Sequence, residues 1–187
     1  MTMTGSQTVG PFLHIGLAGL YRERMTENDD VVIAGRVLDG NGAPVPDGML
    51  EIWQADGQGI YPDPQDERAV AVRPGFRGFC RVATDAEGRF RFSTIKPGRV
   101  PDTDGGLQAP HIMVSVFMRG LIKRLATRIY FPDGDGNEID PVLRLVPPQR
   151  RATLIARAVA GQSGHFEWDV IIQAGPHGRA ETVFLDV

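Results

Sequence analysis

Cysteine is almost absent from this sequence of 187 residues, because only Cys80 is present. A single cysteine excludes an internal disulfide and cannot supply the cysteine spacing of a structural zinc site. The chain also lacks an apolar run of the roughly 18 residues that a membrane-spanning helix needs. Its start, Met1–Ser6, has no basic segment followed by an apolar one, so no secretory signal peptide is predicted. We therefore expect a cytoplasmic protein with no membrane partner.

An excess of charge of either sign is missing as well. Lysine and arginine number 20 against 23 aspartates and glutamates, which gives a formal net charge of −3, and the arginines are scattered along the chain. Binding to nucleic acid needs a cluster of basic residues, so no nucleic-acid partner is predicted. The hydrophobic fraction of 42% and the charged fraction of 23% are typical of one globular domain with a sizeable core.

Glycine and proline, in contrast, are frequent, with 23 and 14 residues. They separate short runs in which apolar and polar residues alternate, and this pattern predicts an all-β fold. We expect a single-domain β-sandwich of mixed topology over 31–187, preceded by an extended N-terminal arm over 1–30. The only predicted helix is Gly16–Arg24. The loops 61–78 and 97–110 are long for a sandwich, and loops of this length are usually functional or interfacial.

The predicted strands follow from the alternation of apolar and polar residues. The turns Asp39–Gly42 and Asp85–Gly88 each predict a hairpin, and a third hairpin is expected to join the strands 153–159 and 165–172. The full set of predicted strands is Val31–Leu38, Met49–Ala55, Phe79–Thr84, Arg89–Ser93, His111–Met118, Ala126–Phe131, Thr153–Val159, His165–Ile172 and Glu181–Leu185.

Two residues, Tyr61 and His111, carry side chains that a hard ferric ion accepts, a phenolate oxygen and an imidazole nitrogen. Two ligands cannot hold iron firmly, and His14, His165 and His177 each stand alone in the sequence. The simplest interpretation is a buried, hydrogen-bonded strand histidine with the tyrosine packed under it. Weak metal binding at this pair is the alternative.

The segment Asp133–Asp140 has oxygen-bearing side chains at alternate positions, as a calcium-binding loop does. Its sixth residue is Glu138 instead of the required glycine, and its twelfth is Arg144 instead of glutamate. We therefore expect an exposed, solvated turn. Nucleophilic catalysis is not predicted either, because no Gly-x-Ser-x-Gly motif occurs and Cys80 has no evident base nearby in the sequence.

Four segments in a fixed order resemble the intradiol ring-cleavage dioxygenases. They are Gln7–Gly16, Leu50–Ala55, Ile95–Gly98 with Ala109–Ile112, and Thr127–Phe131. The resemblance covers almost the whole chain. It implies a β-sandwich enzyme that opens a catechol ring with O₂ at a ferric ion, Fe(III), held by two tyrosines and two histidines.

According to this resemblance, the ligand positions of this chain are Tyr61, Val100, His111 and Met113. Valine has no donor atom, and the neutral thioether of methionine is a poor ligand for ferric iron. The loss of two ligands is typical of alpha chains in those family members that pair an alpha chain with a homologous beta chain. The resemblance therefore implies that this chain binds no metal, that a beta chain carries the Fe(III), and that the arm 1–30 contributes to their interface.

The resemblance also implies that Thr8, Gly10, Pro11 and Arg128 bind the substrate, a catechol that carries a carboxylate. Glycine allows the backbone to approach a ligand, proline stiffens the turn, and threonine offers a hydroxyl. The guanidinium of Arg128 has a fork of donors suited to a carboxylate.

Other roles remain open for these residues. Arg128 could instead form a salt bridge between chains, and the N-terminal segment could be a simple chain-entry turn. No catalytic residue is expected in this chain. For the whole protein, the alternative is a non-enzymatic, transthyretin-like β-sandwich that binds a ligand or assembles with other chains.

Overall fold

The computed structural model describes residues 5–10, 12–176 and 178–186. Pro11, His177 and the side chain of His14 lie outside this described part. The strands within it are β1 Val31–Leu38, β2 Met49–Trp53, β3 Phe79–Ala83, β4 Arg89–Thr94, β5 Val100–Pro101, β6 Leu107–Gln108, β7 His111–Phe117, β8 Leu125–Tyr130, β9 Arg157–Ala158, β10 His165–Glu167 and β11 Val170–Ile171. The helices are α1 Leu13–Leu17, α2 Pro141–Leu145 and the 3₁₀ turns Ala18–Leu20, Ala69–Ala71 and Pro148–Leu154. None of the described helices is long and apolar enough to cross a membrane.

Two main sheets form a sandwich. In the first sheet, β1 pairs antiparallel with β4 on one side and parallel with β10 and β11 on the other, and β9 pairs with β10. The second sheet is fully antiparallel in the order β3-β2-β7-β8. A short ribbon of β5 and β6 lies outside both. The predicted β-sandwich of mixed topology is thus confirmed.

The strands β10 and β11 behave as one interrupted strand along β1, because His165 pairs with Val32 and Val170 with Val37 at the same offset. At the interruption, the side-chain oxygen Oδ1 of Asp169 accepts the hydrogen bond from the backbone N–H of Arg36 at 2.9 Å. The two backbones approach closely here. A Cβ atom added to Gly35 would lie 1.7 Å from the carbonyl oxygen of Trp168, so this close approach of the two backbones requires glycine.

The core lies between the two sheets and takes alternate residues from both. Fully buried members include Ile33, Val37, Phe92 and Val170 from the first sheet and Leu50, Ile52, Ile112, Val114, Val116 and Ile129 from the second. A second apolar cluster packs α2 and the last 3₁₀ turn against the end of β8. Because one face of the second sheet is used for the core, its other face is free for polar side chains.

Two of the predicted hairpins are corners between sheets. The turns form as expected: the backbone N–H of Gly42 donates to the backbone carbonyl of Asp39 at 3.0 Å, and that of Gly88 to the backbone carbonyl of Asp85 at 2.9 Å. However, β1 and β2 belong to different sheets, and so do β3 and β4. The alternation of side chains identifies a half-buried strand, but it carries no information on which sheet the strand joins.

The predicted helix Gly16–Arg24 is wrong in its bounds. Helical structure begins at Leu13 and ends at Leu20. No side chain caps its start, and Tyr21 already has extended backbone angles. The chain then runs beside β3, where the N–H of Arg22 donates to the carbonyl of Arg81 at 2.8 Å.

The two C-terminal strand predictions are also corrected. Within 153–159 only Arg157–Ala158 form a strand, because Pro148 begins a 3₁₀ turn that continues to Leu154. Glu181–Leu185 is not a strand but makes a single bridge, between Leu185 and Ala126. Side-chain hydrogen bonds help to hold this segment: the hydroxyl of Thr127 donates to the carbonyl of Val183, and the N–H of Ile171 donates to Oγ1 of Thr182.

Candidate functional site

Two of the four predicted ligand positions, His111 and Met113, lie on the outer face of the second sheet, whereas Tyr61 is in a loop and Val100 is in β5. Trp53, Met113 and Arg128 are direct partners across β2, β7 and β8. His111 pairs with Tyr130 in the adjacent row of the same face. The intervening residues of β7 are in the core, so these side chains share one outward-facing surface.

Tyr61 packs against a tryptophan instead of the histidine. Its ring stacks on that of Trp53, with the centroids 5.6 Å apart and an angle of 12° between the planes. The predicted packing of Tyr61 under His111 is therefore corrected, because the aromatic ring at the end of β2 offers it a larger apolar surface. Burial raises the pKa of the Tyr61 phenol, and the positive charge of Arg128 opposes this shift.

His111 is a buried strand histidine, as predicted, with 3% of its surface exposed. Its Nδ1 lies 2.8 Å from the carbonyl oxygen of Ala109. A carbonyl can only accept, so Nδ1 carries the proton and donates. Burial lowers the imidazole pKa to about 4, and the positive charge of Arg128 adds to this effect. The ring is therefore neutral at pH 7.

The residues at the other two ligand positions do not fit a ferric ion. Val100 is buried in β5, with 4% of its surface exposed, and presents only methyl groups. Met113 is half-buried in β7, and its thioether sulfur is too soft and too weakly basic for this ion. Among the described residues, no group of three or more histidine, cysteine, aspartate or glutamate side chains could hold a metal ion.

Arg128 lies in the same face and is buried, with 9% of its surface exposed. Its Nη1 donates to Oε1 of Gln108 at 2.8 Å and to the hydroxyl of Tyr130 at 3.3 Å. Its Nε is buried and has no hydrogen-bond partner among the described residues. An unpaired buried N–H calls for an acceptor and offers a metal ion nothing.

Asp140 completes the polar cluster and corrects the prediction of an exposed turn over Asp133–Asp140. Most of that turn is exposed, but Asp140 itself is fully buried. Its Oδ1 accepts from the hydroxyl of Tyr130 at 2.9 Å and from the N–H of Leu143 at 2.7 Å. Its Oδ2 accepts from the N–H of Ala109 at 2.8 Å.

The polar cluster therefore connects a buried cation to a buried anion through Tyr130. It joins β8, the loop before β7 and the start of α2. Sequence reasoning missed Asp140, Gln108 and Tyr130. For Asp140 a signal was available, because it directly precedes Pro141, and an aspartate N-cap followed by proline at the first helical position is a strong helix start.

The N-terminal segment lies elsewhere on the chain. Residues 5–9 are exposed and without regular structure. The Oγ1 of Thr8 accepts a hydrogen bond from the N–H of Gly120, at 3.1 Å, in the loop between β7 and β8. Gly10 has φ of +73°, and a Cβ there would meet nothing within 4 Å. The predicted role of Pro11 falls outside the described residues.

Thr8 and Arg128 do not meet within this chain. The paired part of β8 begins at Leu125, opposite Val116. Arg128 lies three residues further along, roughly 10 Å at the usual rise of a strand. Thr8 contacts the β7–β8 loop, which lies beyond the Leu125 end of this ladder. The guanidinium of Arg128, in contrast, bonds to Gln108 and Tyr130.

Several concave surfaces lie on the described part of the chain, and one of about 550 Å³ is lined by Trp53 and Tyr61. The arm residues Gln7 and Val9 border an open, mainly apolar groove of about 200 Å³ against the β7–β8 loop. A concavity of about 770 Å³ lies on the outer face of the first sheet, where Arg36, Arg89 and Arg91 are among its lining residues. It contains none of the predicted site residues, and several of its arginines are already paired with carboxylates.

The sequence of this chain matches a known protein family over most of its length. The family described as Dioxygenase matches residues 20–174. The protocatechuate 3,4-dioxygenase alpha chain of Burkholderia cepacia is 41% identical, and the alignment covers 100% of this chain and 98% of the relative. The protocatechuate 3,4-dioxygenase beta chain of the same organism is 34% identical, over 90% of this chain and 75% of the relative.

A solved structure has a similar fold. The dioxygenase domain of a dioxygenase carbohydrate-binding protein fusion from Streptomyces sp. SirexAA-E superposes with a TM-score of 0.63. The match covers 83% of this chain and 89% of that domain at 25% sequence identity. The sandwich described above is therefore an architecture that dioxygenases use.

Proposed function

This chain belongs to the intradiol ring-cleavage dioxygenase family, as its motifs predicted, and we propose that it is the alpha subunit of a protocatechuate 3,4-dioxygenase. The enzyme would open protocatechuate with O₂ to 3-carboxy-cis,cis-muconate. The observation that carries this proposal is the full-length similarity to an alpha chain at 41% identity. No observation favours the non-enzymatic alternative.

Dioxygenases of this family depend on iron, and the iron in this proposal belongs to the partner. Val100 and Met113 replace two ligands, and Arg128 lies directly across from Met113 on the same face of the second sheet. A homologous beta chain exists among the relatives of this chain, and we propose that such a chain supplies the ferric ion. Ring opening places one oxygen atom of O₂ on each carbon of the broken bond, so both atoms end in the product.

The contribution of this chain is proposed to be the wall of a cavity shared with the beta chain. Thr8 is tied to the β7–β8 loop through its Oγ1, and its hydroxyl can still donate. The open space around Gly10 allows a ligand or a partner backbone to come close. These features support a substrate-facing role for Thr8 and Gly10. The same role for Pro11 stays a prediction from the sequence.

The prediction that Arg128 binds the substrate carboxylate has less structural support. Its guanidinium is buried and already bonded to Gln108 and Tyr130. A substrate carboxylate would have to displace these contacts or reach the unpaired Nε. Substrate binding by Arg128 stays a prediction, and the geometry favours a role within this chain, through its bonds to Gln108 and Tyr130.

Purification of three samples tests the function. The beta chain alone, this chain alone and the co-expressed pair are compared for iron content, visible tyrosinate-to-iron absorption and O₂ uptake with protocatechuate. We expect no stoichiometric iron and no O₂ uptake in this chain alone, and full activity only in the pair. Near-equimolar iron with O₂ uptake in this chain alone would contradict the proposal, and so would a pair that consumes no O₂ with protocatechuate.

A further inference from the structure

The outer face of the second sheet carries two of the ligand positions, His111 and Met113, together with the buried cation of Arg128. Tyr61 and His111 are the two ligand types retained, and Met113 lies directly across the strand pair from Arg128. Arg128 and His111 contact the same residue: Nη1 of Arg128 lies 3.3 Å from the hydroxyl of Tyr130, and the rings of Tyr130 and His111 are 6.0 Å apart. The guanidinium is therefore close to two of the four ligand positions, His111 and Met113.

The charges of this face are balanced without a metal ion. Arg128 is positive, Asp140 is negative, and the hydroxyl of Tyr130 bridges them by accepting from Nη1 and donating to Oδ1. The charge of Arg128 acts on the phenol of Tyr61 and on the imidazole of His111, and it is the one charge that affects both. A guanidinium has only donors and cannot lose its proton in a protein.

A ferric ion on this face would meet a fixed positive charge at short range in a buried setting. Repulsion between like charges is strong where water does not screen it. The missing ligands are thus only part of the misfit, because the cation of Arg128 opposes a metal whatever stands at positions 100 and 113.

We propose that Arg128 is a built-in cation that takes the place of iron on this face and excludes metal from it. Restoring the two lost ligands is then insufficient for iron binding while Arg128 remains. The inference rests on the family membership of the chain, and it holds whether or not the alpha subunit contacts the substrate.

The test uses the complex of this chain with its beta-type partner. The double variant Val100→Tyr/Met113→His is compared with a triple variant that also carries Arg128→Gln. Iron per complex and tyrosinate-to-iron absorption are measured relative to the wild type. We expect no additional iron in the double variant, and additional iron with stronger tyrosinate-to-iron absorption in the triple variant.

A matched control separates the position of the charge from the loss of any arginine. Arg124 is exposed beside the start of β8, where its Nη1 donates to Oγ of Ser115 at 3.1 Å. Adding Arg124→Gln to the double variant is expected to leave the iron content unchanged. Additional iron in the double variant itself would overturn the proposal, and so would an assembled triple variant without additional iron.

A second comparison avoids the buried position of Val100, where a tyrosine could prevent folding. Met113→His alone, with and without Arg128→Gln, creates a set of one tyrosine and two histidines. Binding of added Co²⁺ is then followed in the visible spectrum, after the iron of the complex has been recorded. Only the version with Arg128→Gln is expected to bind Co²⁺, and equal binding by both versions would overturn the proposal.

Discussion

At the scale of single residues, the polar side chains of the second sheet are held by one another. The carboxylate of Asp140 accepts three hydrogen bonds, from Tyr130, Leu143 and Ala109. Each partner is buried, so a broken bond would leave a polar group without water to replace it. The cluster therefore fixes the loop before β7 and the start of α2 against β8.

The neutral imidazole of His111 makes the stability of the fold depend on pH. Its pKa in the folded chain is about 4, against an ordinary value of 6.5. Between these values the unfolded chain binds the proton and the folded chain does not, so the free energy of unfolding falls as the pH drops from 6.5 towards 4. The loss approaches roughly 3 kcal/mol at the acid end of this window.

Urea unfolding near pH 7 and near pH 4.5 measures this loss. The variant His111→Gln removes the titrating group, so its urea midpoint is expected to change less between the two pH values than that of the wild type. If both proteins lose the same stability on acidification, His111 is not the source of the pH dependence.

Residue identity predicted part of the candidate site. Tyr61, Val100, His111 and Met113 were found by sequence motif, and His111 has the buried, hydrogen-bonded state expected of it. The setting of Arg128 was not predictable. It depends on Gln108 and Tyr130 meeting its guanidinium across a loop and a strand, and no pattern within either segment reports that encounter.

At the scale of secondary structure, the backbone of β1 approaches the segment between β10 and β11 closely at Gly35. A side chain at Gly35 would overlap the carbonyl of Trp168. The N–H of that tryptophan donates to Ala34 at 2.9 Å, so neither backbone can move away without losing a hydrogen bond. This contact holds β10 and β11 beside β1.

Gly35→Ala is expected to destabilise the chain by roughly 1–3 kcal/mol or more, because the overlap is with backbone and cannot be relieved by a rotamer change. Gly106→Ala is the matched control, since a Cβ at Gly106 meets nothing within 4 Å and its φ is not positive. Thermal unfolding of both variants decides the matter. Equal melting temperatures would show that the two backbones can move apart at Gly35 without loss of stability.

The strands were more predictable than their pairing. β1 has the bounds that alternation indicated, Val31–Leu38. Its parallel partners lie far along the chain, and nothing in the local sequence of β1 specifies them. The 3₁₀ turn over 148–154 was missed because Thr153 reads as a strand residue, whereas its Oγ1 donates to the carbonyl of Arg150 at 2.8 Å and favours the turn.

At the scale of the whole molecule, the N-terminal arm leaves apolar side chains uncovered. Phe12 is 74% exposed and Ile15 63%. Both lie in or beside α1, a helix of five residues that buries little of its own surface. This exposure supports the prediction that residues 1–30 contribute to the interface with a partner chain.

We expect the double variant Phe12→Ser/Ile15→Ser to weaken association with the beta-type chain by about 10- to 100-fold, because apolar anchors provide much of the binding energy of an interface. Its melting temperature as an isolated chain should change little. Leu145→Ser is the control, since Leu145 is 84% exposed and lies in α2, outside the arm and outside both long loops. Unchanged affinity of the double variant, measured by titration of the two chains, would remove the arm from the interface.

The arrangement of β1 also sets the order in which a nascent chain can fold. The second sheet uses residues 49–130, so all of its strands are synthesised before β10 and β11, which complete the first sheet. One edge of β1 must wait for a segment 133 residues further along, and until then it is an unpaired strand open to other chains. Slow synthesis therefore prolongs the interval in which the open edge of β1 can aggregate.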